Sequence, residues 1–326
     1  MATPRELRFC WWNVQDFAHF DANRSAMARW PTSVAQYEEK RRRVEAAFNT
    51  MFGADMPEVI GLCEITKAAA EELQRRRFPD HELVLGEPDD PYAFQVAMLI
   101  RRDRNLAARQ PWIVWGGTLD TRPMCLVHYY TRKAQILFVA CHWTAFETDT
   151  SDEMRGRCAD TLRDRIYEFL FPPRPVSTRR HVVIFGDFNA EPQDKHFRLK
   201  LYASRDRDHA RKPVSYHDDA VSRTRLYSCG WRLLGEKLPH NETVSAERRV
   251  GTCYSASWGE WRTYDHVLVT GGLLTERVPY FDESALLIRS DLGSLVAGKP
   301  AKFTFADGAG DGLSDHYPLT GRIVLV

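Results

Sequence analysis

Short apolar segments of the kind that form buried β-strands recur along the chain, and several of them end in polar side chains. The clearest is HVVIFGDFNAEPQD, residues 181–194. Residues 181–185 are mostly apolar and β-branched, which predicts a strand covered on both faces. Asp187 and Asn189 follow at once, and Pro192 ends any regular structure. A strand of this kind predicts an α/β fold that holds an acid and an amide at the edge of a sheet.

Strand-like segments alternate with amphipathic helices over the full 326 residues. Helices are predicted at 33–52, 67–76 and 151–170, and basic residues 40–43 are expected on the solvent-exposed face of the first. The predicted strands are 7–14, 58–63, 82–85, 95–100, 111–115, 124–130, 135–141, 181–187, 263–270 and 319–326. This mixture favours two sheets packed together and covered by helices, in a single domain over residues 1–326.

The composition is that of an ordinary globular protein, with 44% hydrophobic residues, 27% charged residues and a net charge of +1. This balance excludes a strongly basic nucleic-acid coat protein and an acidic tail. No apolar run approaches the roughly 20 residues of a membrane span, and the N-terminus lacks the apolar stretch of a secretory signal. We therefore expect a cytoplasmic protein without a membrane partner. The seven cysteines include no CxxC pair, which favours buried thiols over a disulfide framework or a zinc site.

Residues 195–262 differ from the rest of the chain because they are irregular, aromatic and basic, with 14 Lys and Arg against 8 Asp and Glu. Basic side chains can pair with phosphates while aromatic rings stack on unpaired bases. The candidate substrate-binding residues here are Arg223, Arg225, Arg248, Arg249, Trp258 and Arg262. Alternatively, the aromatic side chains pack onto the rest of the fold and the arginines are solvated. The two interpretations can hold together.

Six predicted strand ends, drawn from all parts of the chain, carry polar clusters. They are WWNVQDF (11–17), LCEIT (62–66), ACHWTAF (140–146), GDFNAEP (186–192), WRTYDHVLV (261–269) and LSDHYPL (313–319). Each has an ordinary explanation when taken singly, because Asn13 can cap a turn and Glu64 can mark where a strand emerges into solvent. Open α/β sheets collect their functional residues at strand ends, so six coincident clusters predict one shared site.

These clusters, and above all GDFN at 186–189 followed by SDH at 314–316, resemble the endonuclease/exonuclease/phosphatase superfamily. That group includes deoxyribonuclease I, exonuclease III and neutral sphingomyelinases. The motifs occur in the family's order from Asn13 to His316, nearly the whole chain. The resemblance implies a four-layer α/β sandwich, in which two mixed β-sheets pack face to face between helices, with the site at one edge.

The resemblance also implies one or two divalent cations, Mg²⁺ or Mn²⁺, which prefer hard oxygen ligands. The expected ligands are Glu64 and Asn13, with Asp315 completing the site directly or through water. Some relatives carry Asp two residues after the Asn, where this chain has Gln15. Gln15 can add a neutral oxygen to the metal or a phosphate contact. If Gln15 faces the site, strand alternation turns Asp16 away, so Asp16 is not expected to take part.

The catalytic roles come from the same resemblance. Asp187 would orient or deprotonate the attacking water, and Asn189 would hydrogen-bond the phosphoryl oxygens. His316 would contact the phosphate, with Asp265 holding its ring. His142 would stabilise or protonate the leaving oxygen, a role that suits an imidazole whose ordinary pKa is about 6.5. A second cation bound by Asp187, Asn189 and His316 is left open.

The leading functional expectation is a metal-dependent phosphodiesterase on nucleic acid, most of all a DNA endonuclease. Segments 226–236 and 251–268 also resemble stretches of bacterial nucleases of the family. Two alternatives remain at this stage. One is a phosphatase or phosphodiesterase acting on a lipid, a small molecule or a nucleotide. The other is a non-catalytic protein that binds phosphate on the same fold.

Overall fold

The computed structural model describes residues 6–27, 29–86, 93–102, 124–130, 134–145, 149–172, 178–212, 225–234, 251–255, 258–275, 277–292, 295–296, 299–305 and 312–325. The strand predicted at 111–115 and the candidate residues Arg223, Arg248 and Arg249 lie outside these ranges. No helix in the described part of the chain is both long enough and apolar enough to cross a membrane.

The elements follow one another in a mixed order of strands and helices. The strands are β1 (Glu6–Phe17), β2 (Val59–Ile65), β3 (His81–Leu85), β4 (Gln95–Arg101), β5 (Met124–Tyr130), β6 (Ala134–His142), β7 (Arg179–Asp187), β8 (Ala203–Ser204), β9 (Leu226–Ser228), β10 (Cys253–Ser255), β11 (Glu260–Arg262), β12 (Asp265–Thr270), β13 (Tyr280–Ile288), β14 (Leu295–Val296), β15 (Lys299–Pro300) and β16 (Leu319–Val324). The α-helices are α1 (Val34–Phe52), α2 (Lys67–Arg77), α3 (Asp149–Leu170), α4 (Lys195–Leu199), α5 (Arg207–Arg211) and α6 (Gly230–Leu233), and Gly271–Leu274 forms a 3₁₀ helix.

Two six-stranded sheets form the centre of the molecule. The first has the order β13-β16-β1-β2-β4-β3 and the second β5-β6-β7-β12-β9-β8, each with parallel and antiparallel neighbours. Apolar clusters on the outer faces join the first sheet to α1 and α2 and the second to α3 and α4. The predicted α/β sandwich of two mixed sheets flanked by helices is therefore confirmed.

The core between the sheets is dominated by aromatic rings from their facing strands. Phe185 of β7 lies with its ring centroid 5.8 Å from those of Phe9 and Trp11 and 6.2 Å from that of Phe138. Gly61 makes this contact possible, because a Cβ there would come within 2.4 Å of the Phe185 ring. The expected burial of the cysteines is also confirmed, since all seven are free and buried. This packing fixes how the two sheets, and hence their strand ends, face each other.

The segment 195–262 is more regular than its sequence suggested. It contributes α4, α5 and α6, and its strands β8 and β9 extend the second sheet to its edge. Strand β13 was not predicted, because polar residues interrupt its alternation. Its pairing with β16 shifts register between Asp282 and Leu287, where a bulge hides the two-residue period.

Lys40 corrects the expectation that residues 40–43 all face solvent. Its side chain is fully buried, and its ammonium donates a hydrogen bond to the backbone carbonyl of Leu313. Burial lowers the pKa of Lys40 to about 7, although Asp16 and Asp315 oppose the shift. The helix pattern could not reveal this, because a lysine stem packs like an apolar chain when a distant carbonyl accepts its head group.

His181 gives a first testable prediction, on stability. Burial, with a smaller contribution from Arg179, lowers the pKa of His181 from 6.5 to about 4. Neither ring nitrogen has a hydrogen-bond partner among the described residues. The folded state therefore resists a proton that the unfolded chain accepts, and His181 destabilises the protein as pH falls from about 6.5 to about 4.

We expect His181→Leu to reduce the loss of stability between pH 7.5 and pH 5 by about 2 kcal/mol while leaving stability near pH 7.5 unchanged or higher. Urea unfolding of both proteins at pH 7.5 and at pH 5 measures the difference. An identical loss of unfolding free energy in both proteins between these two pH values would show that His181 is not responsible.

Candidate active site

The site candidates lie together because their strands end at one edge of the sandwich. In the first sheet β1 and β2 run parallel, which brings Asn13 and Glu64 to neighbouring ends. In the second sheet β6 and β7 run parallel, and His142 pairs with Asp187. Strand β12 begins at the same edge, where Asp265 pairs with Asp187 from the other side. The predicted convergence of strand ends is present.

Backbone strain is concentrated at this edge. Five of the six non-glycine residues with positive φ in the described chain belong to the site or contact it directly: Gln15 (47°), Asp16 (49°), Arg29 (75°), Glu64 (58°) and Asn189 (47°). Such conformations cost energy and persist only where surrounding structure imposes them. Their clustering indicates that this edge is shaped for function rather than for stability.

Asp187 lies at the centre of the site and is 1% exposed. Its Oδ1 accepts the backbone N–H of Asn189, and its Oδ2 accepts Nδ2 of Asn13, both at 2.9 Å. The Nε2 atoms of His142 and His316 lie 3.8 and 3.7 Å from the same Oδ2. Burial raises the pKa of Asp187 although both histidines oppose the shift. A carboxylate with a raised pKa is well suited to take a proton from water.

Asp265 and His316 form a buried pair beside Asp187. His316 Nδ1 lies 2.7 Å from Asp265 Oδ2, and the indole N–H of Trp11 donates to Asp265 Oδ1 at 2.8 Å. Burial alone would lower the pKa of His316, but Asp265 and Asp187 raise it well above its usual range. Burial alone would raise the pKa of Asp265, but His316 lowers it. The two carboxylates therefore favour the protonated imidazole, with Nδ1 fixed by Asp265 and Nε2 on the side of Asp187.

Glu64 carries the second central carboxylate. Its Oε1 accepts Nδ2 of Asn13 at 3.2 Å and lies 3.9 Å from His142 Nε2. Its Oε2 accepts from Arg29 at 2.7 Å. Burial alone would raise the pKa of Glu64, but His142 and Arg29 together lower it to about 2. Glu64 is therefore ionised at neutral pH and faces the same space as Asp187.

The regular strand alternation assumed for residues 15 and 16 is wrong, whereas a metal or phosphate contact by Gln15 stays a prediction. Both have positive φ, so the strand alternation that would turn Asp16 away is broken here. Gln15 turns toward a neighbouring loop, where its Oε1 accepts the backbone N–H of Phe303 at 2.9 Å. Asp16 lies next to Glu64, and Arg29 pairs with both carboxylates. Asp16 thus lies among the polar side chains at this edge, beside Glu64.

Asp315 and Asn189 lie toward the periphery of the site. Asp315 Oδ2 is 3.2 Å from the ammonium of Lys302, and Asp315 raises the pKa of that lysine. The side-chain Nδ2 of Asn189 donates to the carbonyl of Trp143 at 2.9 Å. Asn189 therefore both caps Asp187 through its backbone and is held in place by a neighbouring strand end.

Three residues in or near the site were missed in the sequence. Trp11 and Arg29 contact its carboxylates. Burial lowers the pKa of the nearby Lys40, and Asp16, Asp315 and Glu64 oppose that shift. Trp11 could have been found, since it lies two residues before Asn13 and so on the same face of β1. The sequence around Lys40 indicated a solvent-exposed side chain, because its neighbours in the helix are charged. Arg29 lies in an irregular segment before α1 and carries no pattern that relates it to Glu64.

The substrate-binding candidates divide between two regions. Trp258 is 72% exposed at the turn of the β10–β11 hairpin, and the guanidinium of Arg262 lies 5.7 Å from its ring centroid. Arg262 also pairs with Glu260 and lies 3.8 Å from Glu191. The hairpin borders the site, because Cys253 of β10 forms a β-bridge with His316. Arg225 lies elsewhere and lines a cavity beside α4.

The sequence profile of the Endonuclease/Exonuclease/phosphatase family matches residues 10–316, a span that begins before the first polar cluster and ends at His316 within the last. The chain therefore belongs to this family. Among curated proteins none matches the sequence significantly.

Solved structures similar to this chain share its fold at low sequence identity. D. rerio TDP2 complexed with a single-strand DNA product has a TM-score of 0.55 and 13% identity, covering 98% of both chains. An endonuclease/exonuclease/phosphatase family protein from Bacteroides thetaiotaomicron has a TM-score of 0.56 and 12% identity, covering 99% of both. A mannosyl-6-phosphatase from the same organism has a TM-score of 0.54 and 12% identity, covering 98% of this chain and 100% of the other. At such identity the likeness concerns the fold alone.

Whether a divalent cation fits depends on which oxygen atoms are available. Asp187, Asp265 and His316 offer ligand atoms that all lie within 4.8 Å of one another. However, both oxygens of Asp265 already accept hydrogen bonds, from Trp11 and from His316. Asp265 therefore acts as the partner of His316, and the hard ligands must come from elsewhere.

Glu64 and Asp187 meet that need. Both carboxylates accept from the same Asn13 amide nitrogen and so lie close together; Asp187 is buried and Glu64 is partly exposed. Mg²⁺ and Mn²⁺ are commonly bound by one or two carboxylates. Glu64 and Asp187, with Asp16 nearby, fit such a site. As oriented here, Asn13 turns its amide nitrogen toward them while its Oδ1 accepts the backbone N–H of Gln15.

Proposed function

We propose that this chain is a divalent-metal-dependent phosphodiesterase that hydrolyses nucleic acid, acting on DNA as an endonuclease. The observation that carries the proposal is a cluster of side chains at one edge of the sandwich. Asp187, Glu64 and the Asp265–His316 pair lie next to one another there. A chain that only binds phosphate has no need to bury a carboxylate between two histidines. Membership in the family supports phosphate-ester hydrolysis.

The side chains divide the work of hydrolysis among them. Asp187, with its raised pKa, orients the attacking water and takes its proton. His316, cationic beside Asp265, donates Nε2–H to the phosphoryl group as charge develops there. His142 assists the leaving oxygen, and Asn189 supports the same group. Mg²⁺ or Mn²⁺ held by Glu64 and neighbouring oxygens would neutralise phosphate charge when bound.

Nucleic acid is the proposed substrate because basic and aromatic residues border the site. Trp258 and Arg262 stand together on the hairpin that pairs with His316. Such pairs suit a phosphate backbone with unpaired bases. The fold similarity to TDP2 bound to a single-strand DNA product agrees with a DNA substrate.

A phosphatase acting on a small phosphate monoester is the second candidate. Two cations, Arg29 and Lys302, stand within ion-pair distance of Glu64 and Asp315 at the mouth of the site. They could offset the extra charge of a terminal phosphate dianion. The fold similarity to a mannosyl-6-phosphatase makes this candidate worth testing.

A substrate comparison at fixed metal concentration distinguishes the candidates. Purified protein with Mg²⁺ or Mn²⁺ is given supercoiled plasmid, linear duplex DNA, single-stranded DNA, RNA and mannose 6-phosphate in parallel. We expect cleavage of DNA, including nicking of plasmid, and little phosphate release from the sugar. Phosphate release without cleavage of any polymer would favour the phosphatase, and no turnover of any substrate would favour a non-catalytic protein.

A further inference from the structure

A cavity of about 680 Å³ opens beside the active site on the outer side of the second sheet. It is formed by the segment after Asn189, by α4 and α5, and by the start of α6. Its charged and aromatic lining consists of Arg198, Arg205, Arg225, Tyr202, His209 and Trp231. Its volume lies within the range of small-ligand sites, about 300–1,000 Å³.

The lining of this cavity carries positive charges that no acidic residue of the described lining neutralises. None of its described lining residues is Asp or Glu. Nearby arginines outside the lining are paired, since Arg207 contacts Glu283 and Arg211 lies 3.6 Å from Asp208. By contrast, Arg198 and Arg225 form no ion pair with a carboxylate in the described part of the chain. With respect to the described residues, these guanidinium groups are thus available to an anionic ligand.

An aromatic surface accompanies the charge. The guanidinium of Arg205 lies 5.2 Å from the ring centroid of Trp231, which is only partly buried. A guanidinium over an aromatic face keeps its N–H donors free for phosphate. Tyr202 adds a second ring, held at φ 51°, a conformation that tyrosine rarely adopts. Cations beside exposed rings match a ligand with phosphates and flat bases.

The cavity adjoins the proposed catalytic residues. Pro192, which lines it, lies three residues after Asn189, a distance that a chain spans in at most about 11 Å. Phe197, another lining residue, stacks on His266 with centroids 4.9 Å apart and an interplanar angle of 12°. His266 directly follows Asp265 in β12. A strand bound at the active site could therefore reach the cavity within a few nucleotides.

We propose that this cavity is a second substrate-binding site, which holds an unpaired nucleotide of the nucleic acid a few positions from the bond to be cut. Arg198 and Arg225 pair with its phosphates, and Trp231 with Tyr202 stacks its base. This inference rests on the proposed nucleic-acid substrate and adds to it a preference for a single-stranded segment beside the cleavage position.

The test measures binding without cleavage. A fluorescein-labelled dT₁₂ strand is titrated in EDTA against Asp187→Asn protein, and anisotropy reports the Kd. We expect Arg198→Glu combined with Arg225→Glu to weaken binding at least about 10-fold, and to reduce the slope of log K against log salt by about 0.7 for each phosphate that the protein no longer neutralises. The matched control is Arg102→Glu with Arg277→Glu, two exposed arginines at the opposite edge of the sheets, which should leave the Kd within about twofold.

The aromatic contribution is tested by Trp231→Ala against Trp231→Phe. We expect weaker dT₁₂ binding with alanine and recovery with phenylalanine, because stacking needs only a ring. Equal effects of the two double charge reversals, or no effect of either, would overturn the cavity site. Cleavage of dT₁₂ by the wild-type protein with Mn²⁺ is scored separately. If the wild-type protein does not cleave dT₁₂, the result counts against the proposed function. If it cleaves dT₁₂ but the cavity variants bind dT₁₂ with an unchanged Kd, the result counts only against the cavity as a binding site.

Discussion

Replacing Asp187 with asparagine is expected to lower hydrolysis by at least about 1,000-fold without unfolding the protein. The carboxylate is the proposed proton acceptor, and its Oδ2 lies 3.8 and 3.7 Å from Nε2 of His142 and His316. Asparagine has nearly the same shape but cannot take a proton. Initial rates on plasmid DNA, in the presence of Mn²⁺, measure the reduction.

The stability of this variant provides the internal check. Burial raises the pKa of Asp187, which means that the fold holds its charged form at a cost. In EDTA, the thermal midpoint of Asp187→Asn should therefore equal or exceed that of the wild type. Glu191→Gln is the matched control, because it makes the same acid-to-amide change four residues along the chain and should retain activity. Equal activity of Asp187→Asn and the wild type would remove Asp187 from the mechanism.

Replacing Asp265 with asparagine should lower hydrolysis by about 100- to 10,000-fold through its effect on His316. Asp265 fixes Nδ1 of the imidazole and is the main charge that raises its pKa. An amide at this position can still accept the indole N–H of Trp11, so the core should remain packed. The variant lacks the charge that keeps His316 protonated.

The pH profile separates this role from a structural one. The pKa of His316 is raised in the folded state by Asp265 and Asp187, so its proton is retained to a higher pH than that of an ordinary imidazole. In Asp265→Asn the proton should leave at lower pH, and the alkaline limb of kcat/KM should move toward neutrality. Asp282→Asn, which instead removes a pairing with Arg322 on β16, should leave the profile unchanged. An unshifted limb in Asp265→Asn would show that Asp265 does not control the charge of His316.

Much of the architecture was predictable because its strands and helices carry clean periodic patterns. Residues 182–186, directly before Asp187, are apolar, and in the structure they lie in β7, where all five are buried. Strand-end polarity then predicted which side chains meet, and Asn13, Glu64, His142 and Asp187 do meet. That residues 1–326 form one domain stays a prediction.

The errors arose where a local pattern is overridden by distant contacts. Asp16 was excluded on strand alternation, which fails at the strained turn ending β1. Lys40 was expected in solvent because its helix neighbours are charged, yet it reaches the carbonyl of Leu313 far along the chain. Arg29 could not be found at all, since nothing in an irregular segment indicates that it will pair with Glu64.

The most direct test of the central claim is metal dependence at the proposed site. Protein stripped with EDTA and passed into metal-free buffer is mixed with supercoiled plasmid, and Mg²⁺ or Mn²⁺ is then restored, for wild type and Glu64→Gln in parallel. We expect no nicking without metal, full recovery in the wild type, and recovery in Glu64→Gln only at much higher metal concentration. Nicking that persists in EDTA, or that returns in Glu64→Gln at the same metal concentration as in the wild type, would contradict a metal-dependent centre built on Glu64.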